Sequence, residues 1–447
     1  MRKLFGTDGI RGIANEFLSY ELAKSVGIAL ARIVGKPHSA KIIIGTDTRI
    51  SKDMLKSALC EGLSSEGADV YDVGVISTPA VAYLTVKTGA DAGVMISASH
   101  NTYEYNGIKI FGHDGFKLSD ADEEKIEHMI FSGAVTEGKA LGKVIDAGYL
   151  KEEYISHLKS FISEDFSDIS MVIDCANGSA KSTAKEVFTT PCSNVKFIGC
   201  DSDGYNINKG CGSTHLEYLI SEVTESGADI GIAFDGDADR FLAVDSTGRE
   251  IDGDYVMAIL SLMLKEEGKL KKNTAVGTVM SNYGFSKFCE ANGINFVGTK
   301  VGDRYVLEEI EKCGYSFGGE QSGHIIIREA STTGDGQLTA IYVLNAMKKY
   351  GKSLSELASV MKKYPQHMIN VSADANGKTR FASDDGIKAV IKEAEERLGK
   401  SGRILVRPSG TEPLVRIMVE STDENETVTV CKTVADRIQK ILNTTEK

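Results

Sequence analysis

The sequence predicts an α/β protein with three doubly wound, mixed-sheet α/β domains and a smaller C-terminal α+β domain. Short apolar runs typical of buried strands alternate with helical periodicity through the first 364 residues, as in sheets covered by helices on both faces. After Pro365 this alternation changes to a mixture of strand-like and helix-like segments. A chain of 447 residues is also too long for one hydrophobic core, so several domains are expected.

The first predicted domain covers residues 1–146 and the second covers residues 147–252. In the first, Ser51 is the expected N-cap of a helix that follows a strand. The other expected elements of this domain are a helix at 22–34 and strands at 41–45, 69–75 and 93–96. The expected elements of the second domain are a helix at 149–161 and strands at 171–174, 196–199 and 228–234.

The third predicted domain covers residues 253–364 and the fourth covers residues 365–447. The third contains expected strands at 274–280 and 294–299 and a long helix at 336–349. The fourth contains expected strands at 367–371, 403–406 and 414–420 and helices at 385–398 and 424–442. Its segments do not alternate regularly, which favours an α+β arrangement.

Composition and charge exclude several classes of function. The formal net charge is −12 and no basic block stands out, which argues against a nucleic-acid partner. No apolar run is long enough to span a bilayer, and the first residues carry no secretory signal. The eight cysteines are scattered without a C-x-x-C pair, as expected for reduced thiols in a cytoplasmic protein.

The segment Gly93–Lys117 is the first candidate for chemistry. Its apolar strand stops at Ser97, and small polar residues follow, at the strand end where α/β sheets place ligands. Ser99 has His100 beside it and Lys109 ten residues later, so a base or a cation is available to activate the hydroxyl. Read in isolation, Ser-His is more often an ordinary surface turn.

The strongest local motif is Asp-Gly-Asp-Ala-Asp-Arg at 235–240. Asp235, Asp237 and Asp239 would repel one another unless solvated or bound to a cation, and carboxylate oxygens suit Mg²⁺. A solvated turn is one alternative. A second is a haloacid-dehalogenase-type phosphatase, in which the first aspartate of Asp-x-Asp is the nucleophile.

Four further segments combine glycines with groups able to bind phosphate or sugar. They are 5–12 with Arg11, 299–305 with Lys300 and Arg304, 318–324 with Glu320, Ser322 and His324, and 407–413 with Arg407, Ser409, Gly410 and Thr411. Arg416 adds charge after the last of these. Each segment alone is equally compatible with a turn or with surface charge.

Taken together, five motifs occur in an order that resembles the α-D-phosphohexomutases over the whole chain. They are Gly-Thr-Asp-Gly-Ile-Arg-Gly at 6–12, Ser-Ala-Ser-His-Asn at 97–101, Asp-Gly-Asp-Ala-Asp-Arg at 235–240, Glu-Gln-Ser-Gly-His at 320–324 and Arg-Pro-Ser-Gly-Thr at 407–411. The resemblance implies four domains around a central cleft. It also implies that Ser99 carries a phosphoryl group, and that Asp235, Asp237, Asp239 and a phosphoserine oxygen hold one Mg²⁺.

The resemblance implies roles for the remaining candidates. Lys109 and His324 become the general acid and base, His100 adjoins the phosphoserine, and Arg11 steadies the transferring group. The implied substrate contacts are Glu320, Ser322, Arg407, Ser409, Gly410, Thr411, Arg416, Lys300 and Arg304.

The implied activity is interconversion of glucosamine 6-phosphate and glucosamine 1-phosphate through a bisphosphate, on the way to UDP-N-acetylglucosamine. Gln321 within the fourth motif is typical of the amino-sugar branch of the family. Alternatives are a mutase for glucose or mannose phosphates and a non-catalytic sugar-phosphate-binding protein. A hexose 1,6-bisphosphate activator is expected, and a homodimer is compatible with the resemblance.

Overall fold

The structure, a computed structural model, describes residues 4–34, 40–136, 138, 141–192, 194–409 and 412–443. These residues fall into two compact units. The first lies within Met1–Met280 and Gly293–Val360, and the second within Ser281–Asn292 and Met361–Lys447. No helix in the described part of the chain has the length and apolar character needed to cross a membrane.

The first unit begins with a seven-stranded mixed sheet in the order β1-β2-β6-β5-β3-β4-β7. Its strands are β1 Phe5–Gly6, β2 Gly9–Ile13, β3 Lys41–Thr46, β4 Asp69–Val75, β5 Ala92–Ile96, β6 Tyr105–Gly112 and β7 Val144–Asp146. From β5 to β7 the neighbours are parallel, whereas β6, β2 and β1 add antiparallel partners. The sheet is therefore less uniformly parallel than the strand–helix alternation suggests.

Four helices accompany this sheet: α1 Tyr20–Ile33, α2 Lys52–Ser65, α3 Thr78–Lys87 and α4 Asp120–Phe131. Helix α1 begins two residues before its predicted start because the Ser19 side chain accepts the Leu22 N–H as an N-cap. Ser51 stands at the N-cap position of α2 without a side-chain cap bond. Its hydroxyl instead accepts a hydrogen bond from the Asn106 amide.

A five-stranded mixed sheet follows in the order β12-β11-β10-β8-β9. The strands are β8 Ser170–Asp174, β9 Asn194–Ile198, β10 Ile230–Phe234, β11 Phe241–Asp245 and β12 Glu250–Ile251, and the helices are α5 Lys151–Lys159, α6 Ala184–Phe188 and α7 Glu217–Ser226. Strand β10 is buried along its whole length, which explains why its sequence is continuously apolar. It ends directly before Asp235.

The third sheet is four-stranded, in the order β14-β13-β15-β16. Its strands are β13 Thr274–Thr278, β14 Asn295–Thr299, β15 Phe317–Gly319 and β16 Ile325–Ile327, and the helices of this part are α8 Gly253–Glu266, α10 Asp303–Cys313, α11 Gly336–Tyr350 and α12 Leu354–Ala358. Helix α9, Tyr283–Ala291, belongs to the second unit.

The second unit contains an antiparallel three-stranded sheet in the order β17-β19-β18. The strands are β17 Gln366–Ser372, β18 Gly402–Pro408 and β19 Leu414–Ser421. Besides α9, the helices of this unit are α13 Ala375–Ser383, α14 Asp385–Leu398 and α15 Glu424–Asn443. Three mixed α/β sheets and one α+β sheet confirm the predicted fold class. The predicted borders at 146, 252 and 364 stay predictions.

Candidate active site

Ser99 lies in a tightly held turn after strand β5. Its backbone has a left-handed φ of 51°, which a non-glycine residue adopts only when its surroundings enforce it. The Ser99 N–H donates to Ser97 Oγ at 2.9 Å. The Ser99 carbonyl accepts from Arg49 Nη2 at 2.9 Å and from Asn208 Nδ2 at 2.8 Å. Hydrogen bonds therefore hold the Ser99 backbone at both its N–H and its carbonyl.

The Ser99 hydroxyl faces the aspartate motif. Its Oγ donates to Asp235 Oδ2 at 2.5 Å, and His100 Nδ1 lies 3.4 Å away. A Cβ at Gly236 would lie 2.6 Å from the Ser99 carbonyl oxygen, so glycine is needed there for the two loops to meet. The segments predicted separately at 97–101 and 235–240 thus form one site.

Asp235, Asp237 and Asp239, called here the aspartate cluster, form a buried group of carboxylates. One oxygen of each lies within 4.8 Å of the others. Asp237 Oδ1 and Asp239 Oδ1 are buried without a hydrogen-bond partner among the described residues. Burial, reinforced by the two neighbouring carboxylates, raises the pKa of Asp235 well above its usual range. Unsatisfied hard oxygens in this arrangement fit a metal ion.

Lys109 on strand β6 supplies positive charge beside the aspartate cluster. Its Nζ lies 2.7 Å from Asp237 Oδ2, 3.0 Å from Asp8 Oδ2 and 3.4 Å from Asp239 Oδ2. Burial opposes the charged form, but these carboxylates outweigh it and raise the pKa of Lys109. The side chain therefore stays an ammonium, which suits an acid or an electrostatic role and not that of a base.

His324 approaches the cluster from the start of strand β16. Its Nδ1 lies 3.6 Å from Asp239 Oδ2, and its Nε2 accepts the Gly334 N–H at 3.0 Å. Burial lowers the pKa of His324, but Asp239 and Asp303 outweigh burial and raise it to about 9. Because the raised pKa favours the doubly protonated ring, Nδ1–H faces Asp239 and Nε2–H faces Asp303. Only in the neutral ring does Nε2 accept the Gly334 N–H, and the remaining proton then stays on Nδ1.

Arg11 lies on strand β2, at the mouth of the same site. Its guanidinium pairs with Asp8, and Nη1 lies 3.5 Å from Asn101 Oδ1. Its side chain is 28% exposed. Its Nε is buried and has no hydrogen-bond partner among the described residues, so the anchored guanidinium keeps a donor for a ligand, as a phosphate contact requires.

The predicted sugar-binding loop connects β15 to β16. Glu320 Oε1 accepts the Gly302 N–H at 3.1 Å, and burial raises the pKa of this carboxyl. Gln321 Nε2 donates to Asp252 Oδ2 at 3.2 Å. Ser322 is half-buried between them and His324. The loop thus presents a carboxylate, an amide and a hydroxyl in succession.

The two basic residues of the 299–305 segment lie near an aromatic ring and near carboxylates. Lys300 is exposed, and its Nζ lies 5.7 Å from the centroid of the Tyr305 ring. Arg304 pairs with Asp120, Glu123 and Glu308. Their proposed substrate contacts stay predictions.

The predicted phosphate loop lies in the second unit. Arg407 and Arg416 are register partners on β18 and β19, and burial together with Arg416 lowers the pKa of Arg407. Ser409 Oγ accepts the Glu412 N–H at 3.2 Å, and Lys378 Nζ donates to the Ser409 carbonyl at 2.6 Å. Gly410 and Thr411 lie outside the described residues.

Several residues at the first site were not among the residues predicted from the sequence. Asp8, Lys117 and Asp303 surround Lys109 and His324, yet each is an ordinary charged residue in its own segment. Arg49 is fully buried and pairs with Asp47 at 2.9 Å. A Thr-Asp-Thr-Arg sequence directly after a buried strand was a usable signal for that pair.

The fold and this site define a multidomain α/β enzyme of phosphosugar chemistry, and the comparisons with known proteins give its family. Profiles described as phosphoglucomutase/phosphomannomutase match four successive parts of the chain. These are alpha/beta/alpha domain I at 2–136, domain II at 152–248, domain III at 252–364 and the C-terminal domain at 368–437. The chain belongs to the phosphoglucomutase/phosphomannomutase family.

Similar proteins extend over the full length. A Clostridium kluyveri protein named phosphoglucosamine mutase is 49% identical over 449 residues, covering 99% of this chain and 100% of that protein. A phosphoglucomutase/phosphomannomutase family protein of Burkholderia thailandensis has a TM-score of 0.81 at 21% identity, over 99% of this chain and 98% of the other. Aspergillus fumigatus N-acetylphosphoglucosamine mutase, solved in complex with GlcNAc-6P and magnesium, has a TM-score of 0.66 at 18% identity, over 99% and 96%.

Proposed function

We propose that this enzyme interconverts glucosamine 6-phosphate and glucosamine 1-phosphate by transferring a phosphoryl group to and from Ser99. The product would feed synthesis of UDP-N-acetylglucosamine. The observation that carries the proposal is the 2.5 Å contact between Ser99 Oγ and Asp235 Oδ2, which places a serine hydroxyl against a buried carboxylate cluster. The substrate assignment is supported by a full-length relative of that name at 49% identity.

The reaction needs two transfers with opposite direction. In the first, a free sugar hydroxyl attacks the phosphorus of phosphorylated Ser99, the bond from phosphorus to Ser99 Oγ breaks, and the serine oxygen keeps the electron pair and takes a proton. The resulting bisphosphate turns over. In the second, Ser99 Oγ loses its proton and attacks the phosphoryl group at the other end. The bond from that phosphorus to the sugar oxygen breaks, and the sugar oxygen keeps the electron pair and takes a proton. Ser99 is then phosphorylated again, so the enzyme returns to its starting state.

Three side chains have the following tasks in these transfers, and His324 stays the predicted acid–base partner of Lys109. Lys109 stays an ammonium among carboxylates, and it offsets negative charge that grows in the transition state. Arg11 offers guanidinium donors to the transferring group. His100, with Nδ1 at 3.4 Å from Ser99 Oγ, is placed to exchange the proton of the serine or sugar oxygen.

Asp235, Asp237 and Asp239 would hold Mg²⁺, since two of their buried oxygens have no partner among the described residues and the donors are hard carboxylates. When bound, the ion supplies charge neutralisation at the phosphoryl oxygens. The Aspergillus fumigatus protein of the same fold was solved with magnesium, which supports this choice of metal.

The remaining parts follow from the same scheme. A hexose 1,6-bisphosphate activator would phosphorylate Ser99 whenever the intermediate escapes. Glu320 and Ser322 would bind sugar hydroxyls, and Arg407, Ser409 and Arg416 the phosphate that does not react. The homodimer and the cytoplasmic location stay predictions.

A coupled mutase assay across glucosamine, N-acetylglucosamine, glucose and mannose phosphates tests the function. Glucosamine phosphate should give the highest kcat/KM, and peptide mapping should place the phosphate on Ser99. A higher kcat/KM on glucose or mannose phosphate would assign the chain to another activity of the family. Binding of sugar phosphates without turnover would identify a non-catalytic binding protein, and phosphate on Asp235 would refute the serine mechanism.

A further inference from the structure

Two proton-bearing side chains from different sheets converge on one oxygen of the aspartate cluster. Lys109 Nζ lies 3.4 Å from Asp239 Oδ2, and His324 Nδ1 lies 3.6 Å from the same atom. Lys109 belongs to the seven-stranded sheet and His324 adjoins the four-stranded sheet. A further contact is therefore needed to fix the relative positions of Lys109 and His324 around Asp239.

Lys117 makes that connection on the side away from Asp239. Its Nζ lies 2.6 Å from Asp8 Oδ1 and also pairs with Asp303. The second oxygen of Asp8 lies 3.0 Å from Lys109 Nζ, and Asp303 Oδ2 lies 3.7 Å from His324 Nε2. The contacts close a ring, called here the charge ring, whose members in order are Lys109, Asp8, Lys117, Asp303, His324 and Asp239.

We propose that Lys117 is a positioning residue for the phosphoryl transfer, because it holds Lys109 and His324 in place by bridging Asp8 and Asp303. The inference rests on the proposed function. Within the described part of the chain, Lys117 forms a hydrogen bond or ion pair with neither Ser99 nor the aspartate cluster, so it acts through the residues that do.

The electrostatics favour a bridge over an incidental ion pair. The side chains of Lys117, Asp303 and Asp8 are only 12%, 16% and 19% exposed, so their interactions are weakly screened by solvent. Without the ammonium, Asp8 and Asp303 would face each other as like charges. Each would then shift, and Lys109 or His324 would move with it.

The test compares Lys117→Met, Lys117→Arg and Asp303→Asn with the wild type. Lys117→Met should lower kcat by roughly 30- to 100-fold while KM changes little, because misplacing reacting groups by 1 Å can cost about 10²-fold. Lys117→Arg should restore most of the loss, since it keeps the charge. Asp303→Asn, which keeps the shape, should reproduce part of the loss, and it tests the bridge if Lys117→Met does not fold.

Lys56→Met is the matched control. Lys56 is another partly buried lysine of the seven-stranded sheet region, 2.8 Å from Asp72, outside the charge ring. It should lower thermal stability without changing kcat. If folded Lys117→Met keeps wild-type kcat, if only KM rises, or if Lys117→Arg is no better than Lys117→Met, the proposal is wrong.

A second readout separates this inference from the proposed function. A wild-type enzyme without activity on any hexose phosphate would refute the function. The positioning role of Lys117 is then tested by NMR of protein labelled at histidine with a nitrogen isotope. The imidazole nitrogen resonances of His324 are assigned by their loss in a His324→Gln variant. These resonances should shift in Lys117→Met and stay unchanged in Lys56→Met. Unshifted resonances in Lys117→Met would overturn the positioning role.

Discussion

Lys109 and Lys117 in the first unit lie among carboxylates, whereas Arg407 and Arg416 in the second unit lie opposite each other on adjacent strands. The lysines therefore have raised pKa values. Arg407 instead has a lowered pKa because burial and Arg416 both disfavour its charge. The first region thus stabilises the charged form of its lysines, whereas the second destabilises the charged form of Arg407.

The proposed roles of the two regions account for this difference. A group that acts in the transition state has to be in place before the substrate arrives, so its charge is compensated by fixed protein carboxylates. A group that binds a phosphate gains most when its charge is only partly compensated, because the ligand then supplies the missing anion. Glu412 pairs with Arg416, and the pKa of Arg407 is lowered by burial and by Arg416.

The largest effect expected from this comparison concerns Ser99. Ser99→Ala removes the oxygen that carries the phosphoryl group and should lower kcat by at least about 10³-fold, as for other enzymes that lose their nucleophile. Ser97→Ala is the control. Ser97 holds the Ser99 N–H and donates to Asp47, so this variant should retain part of the activity. Equal losses in the two variants, measured with the coupled assay, would contradict the assignment of Ser99.

Metal removal tests the aspartate cluster next. EDTA should silence the enzyme and Mg²⁺ should restore it, because Asp237 Oδ1 and Asp239 Oδ1 are buried and have no hydrogen-bond partner among the described residues. Ca²⁺ should raise the melting temperature yet support little turnover, since it prefers longer bonds and looser geometry. Asp237→Asn should lose the thermal shift produced by both ions. Full activity after exhaustive chelation would exclude the metal from the mechanism.

Arg407→Met should produce a smaller loss of a different kind. A charge-assisted hydrogen bond contributes about 1.5–3 kcal/mol, so KM should rise by roughly 10- to 150-fold, with kcat nearly unchanged. Arg437→Met, which removes an exposed arginine paired with Glu393, is the control in the same unit. A fall in kcat at constant KM would show that the arginine loop acts in the transfer step, and the contrast between the two regions would then disappear.

The residues of the first unit that directly follow strands were predictable from the sequence. Asp235, Asp237 and Asp239 lie two residues apart after an apolar strand, so their spacing alone brings them together. Ser99 follows a second such strand. A strand and the residues that follow it are adjacent in the chain, so the sequence alone predicts that these residues lie at a strand end.

The charge ring was not predictable in the same way. Asp8, Lys117 and Asp303 come from segments separated by more than a hundred residues. Asp8 and Asp303 lie within motifs that the sequence offers, but no single segment indicates that these charges meet. Strand β6 was also missed. Its run from Tyr105 to Gly112 contains polar and glycine residues that resemble a loop, and only pairing with β5 and β2 makes it a buried strand that carries Lys109.

The smallest expected effect concerns a neutral polar group, Gln321. Its Nε2 donates to Asp252 Oδ2, and because a carboxylate only accepts, this contact leaves the amide oxygen as the group available to a ligand. An acceptor suits the amino group of a hexosamine, so glucosamine phosphate should exceed glucose phosphate in kcat/KM. Gln321→Met should narrow that ratio by roughly 10-fold, near the lower limit for a hydrogen bond to a charged group, because Gln321 is only half-buried.

Gln439→Met is the matched control, since Gln439 is also a half-buried glutamine, lies on α15 and bonds Asn443. It should leave the ratio unchanged. The two kcat/KM values should be measured for each protein with both sugar phosphates. A ratio that stays constant in Gln321→Met would show that the amino group is recognised elsewhere. A ratio near one in the wild type would mean that the amino group of the sugar plays no part in substrate selection.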